Sequence, residues 1–144
     1  MRYFQQSISA LTVILALSAT TYWLADSLQA RAEPVGAQEH PLRSEALGNA
    51  AGSQLTAVVV TYPPGGKSRR HRHSGSVFAY VLSGAIRSQN SATGPAKVYA
   101  AGDSFFEPVG SEHLVSENAS DSQPASMLAV FVAPARSQLT SLSH

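Results

Sequence analysis

Three histidines stand where a metal ion could use them. His71 and His73 are two apart in the run Arg70-His71-Arg72-His73. In an extended segment, side chains at i and i+2 share a face, so both imidazoles point one way, with Arg70 and Arg72 on the other. His113 follows later, after the turn-forming Pro108-Val109-Gly110. If the fold lays that segment beside the first, three imidazoles converge. Such a set can hold iron, manganese, nickel, copper or zinc, all of which accept imidazole nitrogen. Taken alone, the histidine pair reads equally well as a surface His-Arg cluster.

No other strong ligand type competes with histidine and carboxylate, because the 144-residue chain has no cysteine. That excludes disulfides and every thiolate-ligated zinc or iron–sulfur site. Ten Lys and Arg against nine Asp and Glu leave a formal charge of +1. So balanced a chain carries no electrostatic footprint for nucleic acid or an anionic membrane surface. Lys67, Arg69, Arg70 and Arg72 form one local basic patch, which could draw an anionic small molecule or be a solvated loop.

The elements that must position the histidines read as short strands. Residues 55–62 hold three consecutive valines and end at Pro63-Pro64-Gly65-Gly66. Residues 77–82 form the next run, with Ser83-Gly84 as a tight turn into 85–89. Shorter strands are expected over 98–100, 104–106 and 114–117, and a strong one over 127–133. In the 77–82 run, Val77, Ala79 and Val81 share one face and Phe78 and Tyr80 the other. No amphipathic helix of ten residues is evident after residue 50. The pattern predicts an all-β sandwich or small barrel with room for one cavity.

Outside that body, residues 1–32 read as an export signal. A basic start at Met1-Arg2 precedes an apolar run from Ile8 to Leu24, and Ala30-Arg31-Ala32 supplies small residues for cleavage after Ala32. The run is short for a spanning helix of ~20 residues, although an uncleaved anchor is the alternative and the one route to membrane attachment. Cleavage would leave 112 residues with equal numbers of acidic and basic side chains, in the periplasm or outside the cell. Residues 33–54 read as a linker, His40 included, residues 55–134 as the barrel, and 135–144 as a frayed tail.

The glycine spacing around the histidines is specific. Gly65, His71, His73 and Gly84 fit G(x5)HxH(x3–4)E(x6)G, and Gly102, Pro108, Gly110 and His113 fit G(x5)PxG(x2)H(x3)N. The chain therefore resembles the cupin superfamily, in particular small bacterial single-domain cupins, over roughly residues 55–133. The resemblance implies a small antiparallel β-barrel (double-stranded β-helix, or jelly roll) with a divalent metal in its mouth. It assigns His71, His73 and His113 as metal ligands.

Two positions depart from the motifs. Position 117 is Glu rather than Asn, with Asn118 one place later. The fourth family ligand, a Glu, falls by spacing at Val77, with Phe78 as the other register, and neither binds metal. The site could then be a neutral three-histidine centre, could take its carboxylate from elsewhere, or could have decayed to an apolar pocket. Glu107 is the replacement candidate, directly before Pro108. A carboxylate facing the interior is costly unless it meets a metal, a ligand histidine or a substrate proton; a rim Glu would cost nothing.

Cupins with three histidines include iron-dependent dioxygenases. The resemblance thus implies an exported metal-binding cupin, as an enzyme a dioxygenase-type oxidoreductase on a small organic substrate, with Fe(II) favoured and Glu107 handling substrate. The other class is a non-enzymatic binder of a small ligand or metal. Cupins often pair through edge strands, which implies a homodimer. A transcription regulator is set aside, since no DNA-binding segment accompanies the barrel.

Overall fold

The structure is a computed structural model that describes residues 36–143. The export signal read over residues 1–32 lies outside the described residues. Ten strands run in chain order: β1 Gln38–Ala46, β2 Ser53–Tyr62, β3 His71–His73, β4 Ser76–Ser83, β5 Ala85–Asn90, β6 Lys97–Ala100, β7 Ser104–Glu107, β8 Glu112–Asn118, β9 Ala125–Pro134 and β10 Thr140–Leu142. No helix occurs among the described residues. The strands form two five-stranded sheets, ordered β1-β2-β9-β4-β7 and β10-β3-β8-β5-β6, with every named pairing antiparallel.

Alternation explains the first sheet. Val58, Val60 and Tyr62 on β2, Val77, Ala79 and Val81 on β4, and Met127, Ala129 and Phe131 on β9 are all buried. Their neighbours at odd offsets face outward, as the period of two requires. Tyr80 thus faces out, with Phe78.

The second sheet turns a different wall inward. Its buried residues are Ile86, Ser88 and Asn90 on β5, His71 on β3, and His113, Ser116 and Asn118 on β8. One wall of the interior is apolar and the other mostly polar. Small side chains leave room on the apolar wall, where Ala79 and Ala129 are cross-strand neighbours. A cavity of about 290 Å³ remains between the sheets, open to solvent on one side.

Two expectations about the chain ends are corrected. The segment 33–54, read as linker, contains β1 and the start of β2. β1 is exposed along its whole length, so backbone pairing to β2 holds it and burial does not. The frayed tail 135–144 contains β10, which pairs with β3 through Thr140–His73 and Leu142–His71. The tail therefore braces the strand that carries two of the histidines.

Two glycines are required by close approach. A Cβ on Gly75, between β3 and β4, would lie 2.0 Å from the Val132 carbonyl oxygen. Gly84 turns β4 into β5 at φ 66°, and a Cβ there would meet the Pro124 oxygen at 2.7 Å.

Candidate metal centre

β3 and β8 are adjacent, and their register sets His71 directly opposite His113. Directly opposed residues of an antiparallel pair share a face, so both rings enter the interior. His73 follows on the same face of β3. The three ring centroids stand 4.7, 5.0 and 6.4 Å apart, and one nitrogen from each ring falls within 4.8 Å of the others. The surface-cluster reading therefore fails, and the exposed side of β3 is Arg72, bonded to Glu112 and the Gly110 carbonyl.

The empty carboxylate position has a glutamate as its cross-strand partner. Val77 on β4 is opposite Glu107 on β7, so the two project into the same space. Glu107 is 3% exposed, and its Oε2 lies 3.1 Å from His113 Nδ1 and 3.8 Å from His73 Nε2. A carboxylate one strand sideways from the motif position thus lies within reach of two of the histidines. A buried group from the opposing sheet, Asn90 of β5, donates Nδ2–H to Oε2 at 3.2 Å, while its Oδ1 accepts the Ala92 N–H.

Hydrogen bonds orient each ring. His71 Nδ1–H donates to the Arg69 carbonyl at 2.6 Å, which leaves Nε2 free. His73 Nδ1 is engaged by Thr140 Oγ1 and the Leu139 carbonyl, which leaves its Nε2 toward Glu107. His113 holds the Ser88 hydroxyl at Nε2, 2.8 Å away, and turns Nδ1 toward Glu107. Such outer hydrogen bonds fix tautomer and ring angle, as metal-ligating histidines require.

The electrostatics favour a cation. Burial, then the neighbouring His71 charge, pulls His73 down to about 4. Burial, His71 and His73 pull His113 down to about 3. Both imidazoles are therefore neutral near pH 7 and have lone pairs to offer. Burial pushes Glu107 up to about 7, with the Asn90 amide working against it. Three imidazoles and a buried carboxylate without a partner cation fit a divalent ion. The residues that would hold it are His71, His73 and His113, with Glu107 in reach.

Val60, Met127, Ala129 and Phe131 line the apolar side of the cavity, and Lys67 and Arg69 also border it. Tyr62 lies at its edge, its hydroxyl held by Ser68 and Ser116 at 2.9 and 2.7 Å, and burial raises its pKa. Glu112 and Glu117 pair with Arg72 and Arg87 and stay off the site. Asn118, one place past its motif position, donates to the Pro63 and Gln123 carbonyls and is buried. It ties loops together through its side-chain amide.

Sequence reasoning missed Ser88, Asn90, Ser116 and Thr140. Ser88 and Asn90 share inward parity with Ile86, but polar residues facing inward carry no hydropathy signal; Ser116 lies an odd three residues past His113 and turns inward only because the β5–β8 register shifts between them.

The family comparison agrees with this geometry. The cupin domain model (Cupin_2) matches residues 58–131, which covers the apolar wall, all three histidines and Glu107. The chain belongs to the cupin family. Among solved structures it is similar to the DMSP lyase DddQ from Ruegeria pomeroyi DSS-3, at 22% identity and a TM-score of 0.59, covering 75% of this chain and 52% of that one. Recombinant oxalate oxidase in complex with glycolate matches at 21% identity and TM-score 0.59, covering 77% and 57%. Bacillus subtilis oxalate decarboxylase, described by its Mn(II) centres, matches at 23% and 0.58, covering 77% and 29%. The chain thus spans about half the length of the lyase. At these identities the likeness establishes the double-stranded β-helix fold. No curated protein matches the sequence.

Proposed function

We propose that the protein is an exported, metal-dependent cupin that acts as a dioxygenase-type oxidoreductase on a small organic substrate. The observation that carries this reading is Glu107, buried in the cavity and 3.1 Å from His113. His71, His73 and His113 are the proposed ligands of a divalent ion, with Fe(II) favoured and Mn, Ni, Cu or Zn acceptable to the same donors. Such an ion, when bound, supplies a Lewis acid for substrate oxygen and, if iron, an electron donor for O₂. The similarity to an oxalate decarboxylase described by Mn(II) centres supports a metal at this position.

The residues themselves do the rest. Glu107, raised to about 7, is matched to taking a proton from a carbon acid near neutral pH. Asn90 holds its Oε2 in place. Apolar side chains of β2 and β9 pack the substrate body and limit water, while Lys67 and Arg69 attract anionic substrates. The alternative, a binder of a small ligand or metal without catalysis, is favoured by Val77 standing where the motif has Glu.

Oxygen uptake by iron-loaded protein with enolizable diketones or flavonols separates the two. Uptake that needs both iron and Glu107 supports the enzyme. Bound iron with no uptake on either substrate class favours the binder, and no metal bound after loading contradicts both metal readings.

A further inference from the structure

We infer that the cavity has a second, uncharged binding pole at Ser68, and that the substrate carries a neutral oxygen, a hydroxyl or a carbonyl, about 7 Å from the atoms that meet the metal. This rests on the divalent ion proposed above at the three histidines. Its ground is a hydroxyl cluster that the histidine site does not use. Tyr62 Oη lies 2.9 Å from Ser68 Oγ and 2.7 Å from Ser116 Oγ, and all three residues line the cavity.

The cluster has one proton too many. Each hydroxyl carries one donor proton, and its oxygen can accept. Three protons face two contacts, so one is left without a partner inside the cluster. Tyr62 and Ser116 are 1% and 3% exposed, whereas Ser68 is half-buried. A leftover proton on either buried oxygen would be desolvated without an acceptor. The favoured order therefore runs from Ser116 to Tyr62 to Ser68, each donating to the next, and Ser68 turns its proton into the cavity.

Register gives the spacing. On β8, His113 is opposite Asn90 and Ser116 is opposite Ser88, two residues away along β5. Two residues of strand span ~7 Å, the length of a para-substituted ring. The facing wall of Val60, Met127 and Phe131 is apolar and suits the body of such a molecule.

The charges nearby disfavour an anion at this pole. Lys67 is opposite Glu117, a residue turned outward to Arg87, so its ammonium stands at the mouth and not in the cluster. Arg69 is exposed as well. Glu39 borders the cavity from β1, opposite Val60. Burial, and after it the charges of Glu107 and Glu39, hold the Tyr62 phenol above its usual range. A ligand carboxylate here would join two others, whereas a neutral oxygen accepts the Ser68 proton without that repulsion.

Calorimetric titration of the zinc-loaded full chain tests this, zinc being inert to O₂. The probes are benzohydroxamate, a metal chelator, and its para-hydroxy and para-carboxy derivatives. The para-hydroxy compound should bind roughly 10-fold more tightly than benzohydroxamate, as for one well-satisfied hydrogen bond. The para-carboxy compound should bind no better than benzohydroxamate. Ser68→Ala should cut the para-hydroxy preference to less than about 2-fold, because the proton left on Tyr62 then sits 2.9 Å further back. Ser68→Thr retains a hydroxyl and should retain the preference. Zinc content and circular dichroism, equal in the three proteins, exclude a lost site. Equal affinity of the parent protein for benzohydroxamate and the para-hydroxy compound overturns the inference. So does a preference that survives Ser68→Ala, or a para-carboxy compound that binds tightest. Benzohydroxamate that binds no better with zinc than without it overturns the metal reading itself, and the second pole falls with it.

Discussion

A carboxylate buried beside neutral imidazoles has two ways to lower its energy: it can take up a proton, or it can share a cation. Without metal, Glu107 does the first, and its pKa of about 7 against an ordinary 4.5 sets the sign. Between pH 4.5 and 7 the folded state keeps a proton that the unfolded chain has released, so this term lowers stability as pH rises. His73 and His113 act oppositely. The unfolded chain protonates them below 6.5, whereas the fold resists until about 4 and 3, so stability falls as pH drops below 6.5. Two histidines outweigh one glutamate where the windows overlap. Metal-free protein should therefore be most stable near pH 6.5, measured by urea melts across pH, and a monotonic rise through pH 8 would contradict this. Glu107→Gln removes the charge that a cation would neutralise. It should weaken metal affinity about 10- to 100-fold in chelator competition and abolish the stability decline above that maximum. The histidines and Glu107 were legible in the sequence, because motif spacing and the cost of a buried carboxylate both point at them. Asn90 and Ser88 were not, since nothing in a single strand tells which parity of polar residues turns inward.

At the scale of elements, the ligand strand β3 is three residues long and depends on its neighbours. β8 pairs with only His71 and Arg72 of it, and β10 supplies the other side. Truncation after Pro134 removes β10 and both partners of His73 Nδ1. Metal affinity should drop about 10-fold and the melting midpoint should fall; unchanged affinity would mean that β10 does not position His73. The crossing at Gly75 gives a sharper test of packing. Gly75→Ala drives a methyl into the Val132 carbonyl and should cost roughly 2–4 kcal/mol, whereas Gly48→Ala, with open space around it, should stay within about 0.5 kcal/mol. Denaturant melts of both variants decide. β2, β4 and β9 could be read from alternating or continuous apolar runs. β1 and β10 escaped because they are polar, short or exposed, and are held by backbone pairing that composition does not report.

The whole molecule is two sheets with unlike inner walls. One, rich in Val, Ala, Met and Phe, supplies the burial that holds the domain together without a disulfide. The other gives up apolar area to carry histidine, serine and asparagine, and the cavity between them is where chemistry and packing meet. The barrel was legible as a whole because two glycine-punctuated motifs sit at family spacing, each glycine serving a turn. The unlike walls were not, because they arise only when strands distant in sequence face one another. The central claim is that the three histidines form one divalent metal site. Elemental analysis of the protein loaded with iron, and in parallel with manganese, nickel, copper and zinc, tests it most directly, set beside His71→Ala, His73→Ala and His113→Ala variants with unchanged circular dichroism. We predict one ion per chain in the parent and its loss in every variant. Parent protein that retains none of the five metals, or variants that retain as much as the parent, would contradict it.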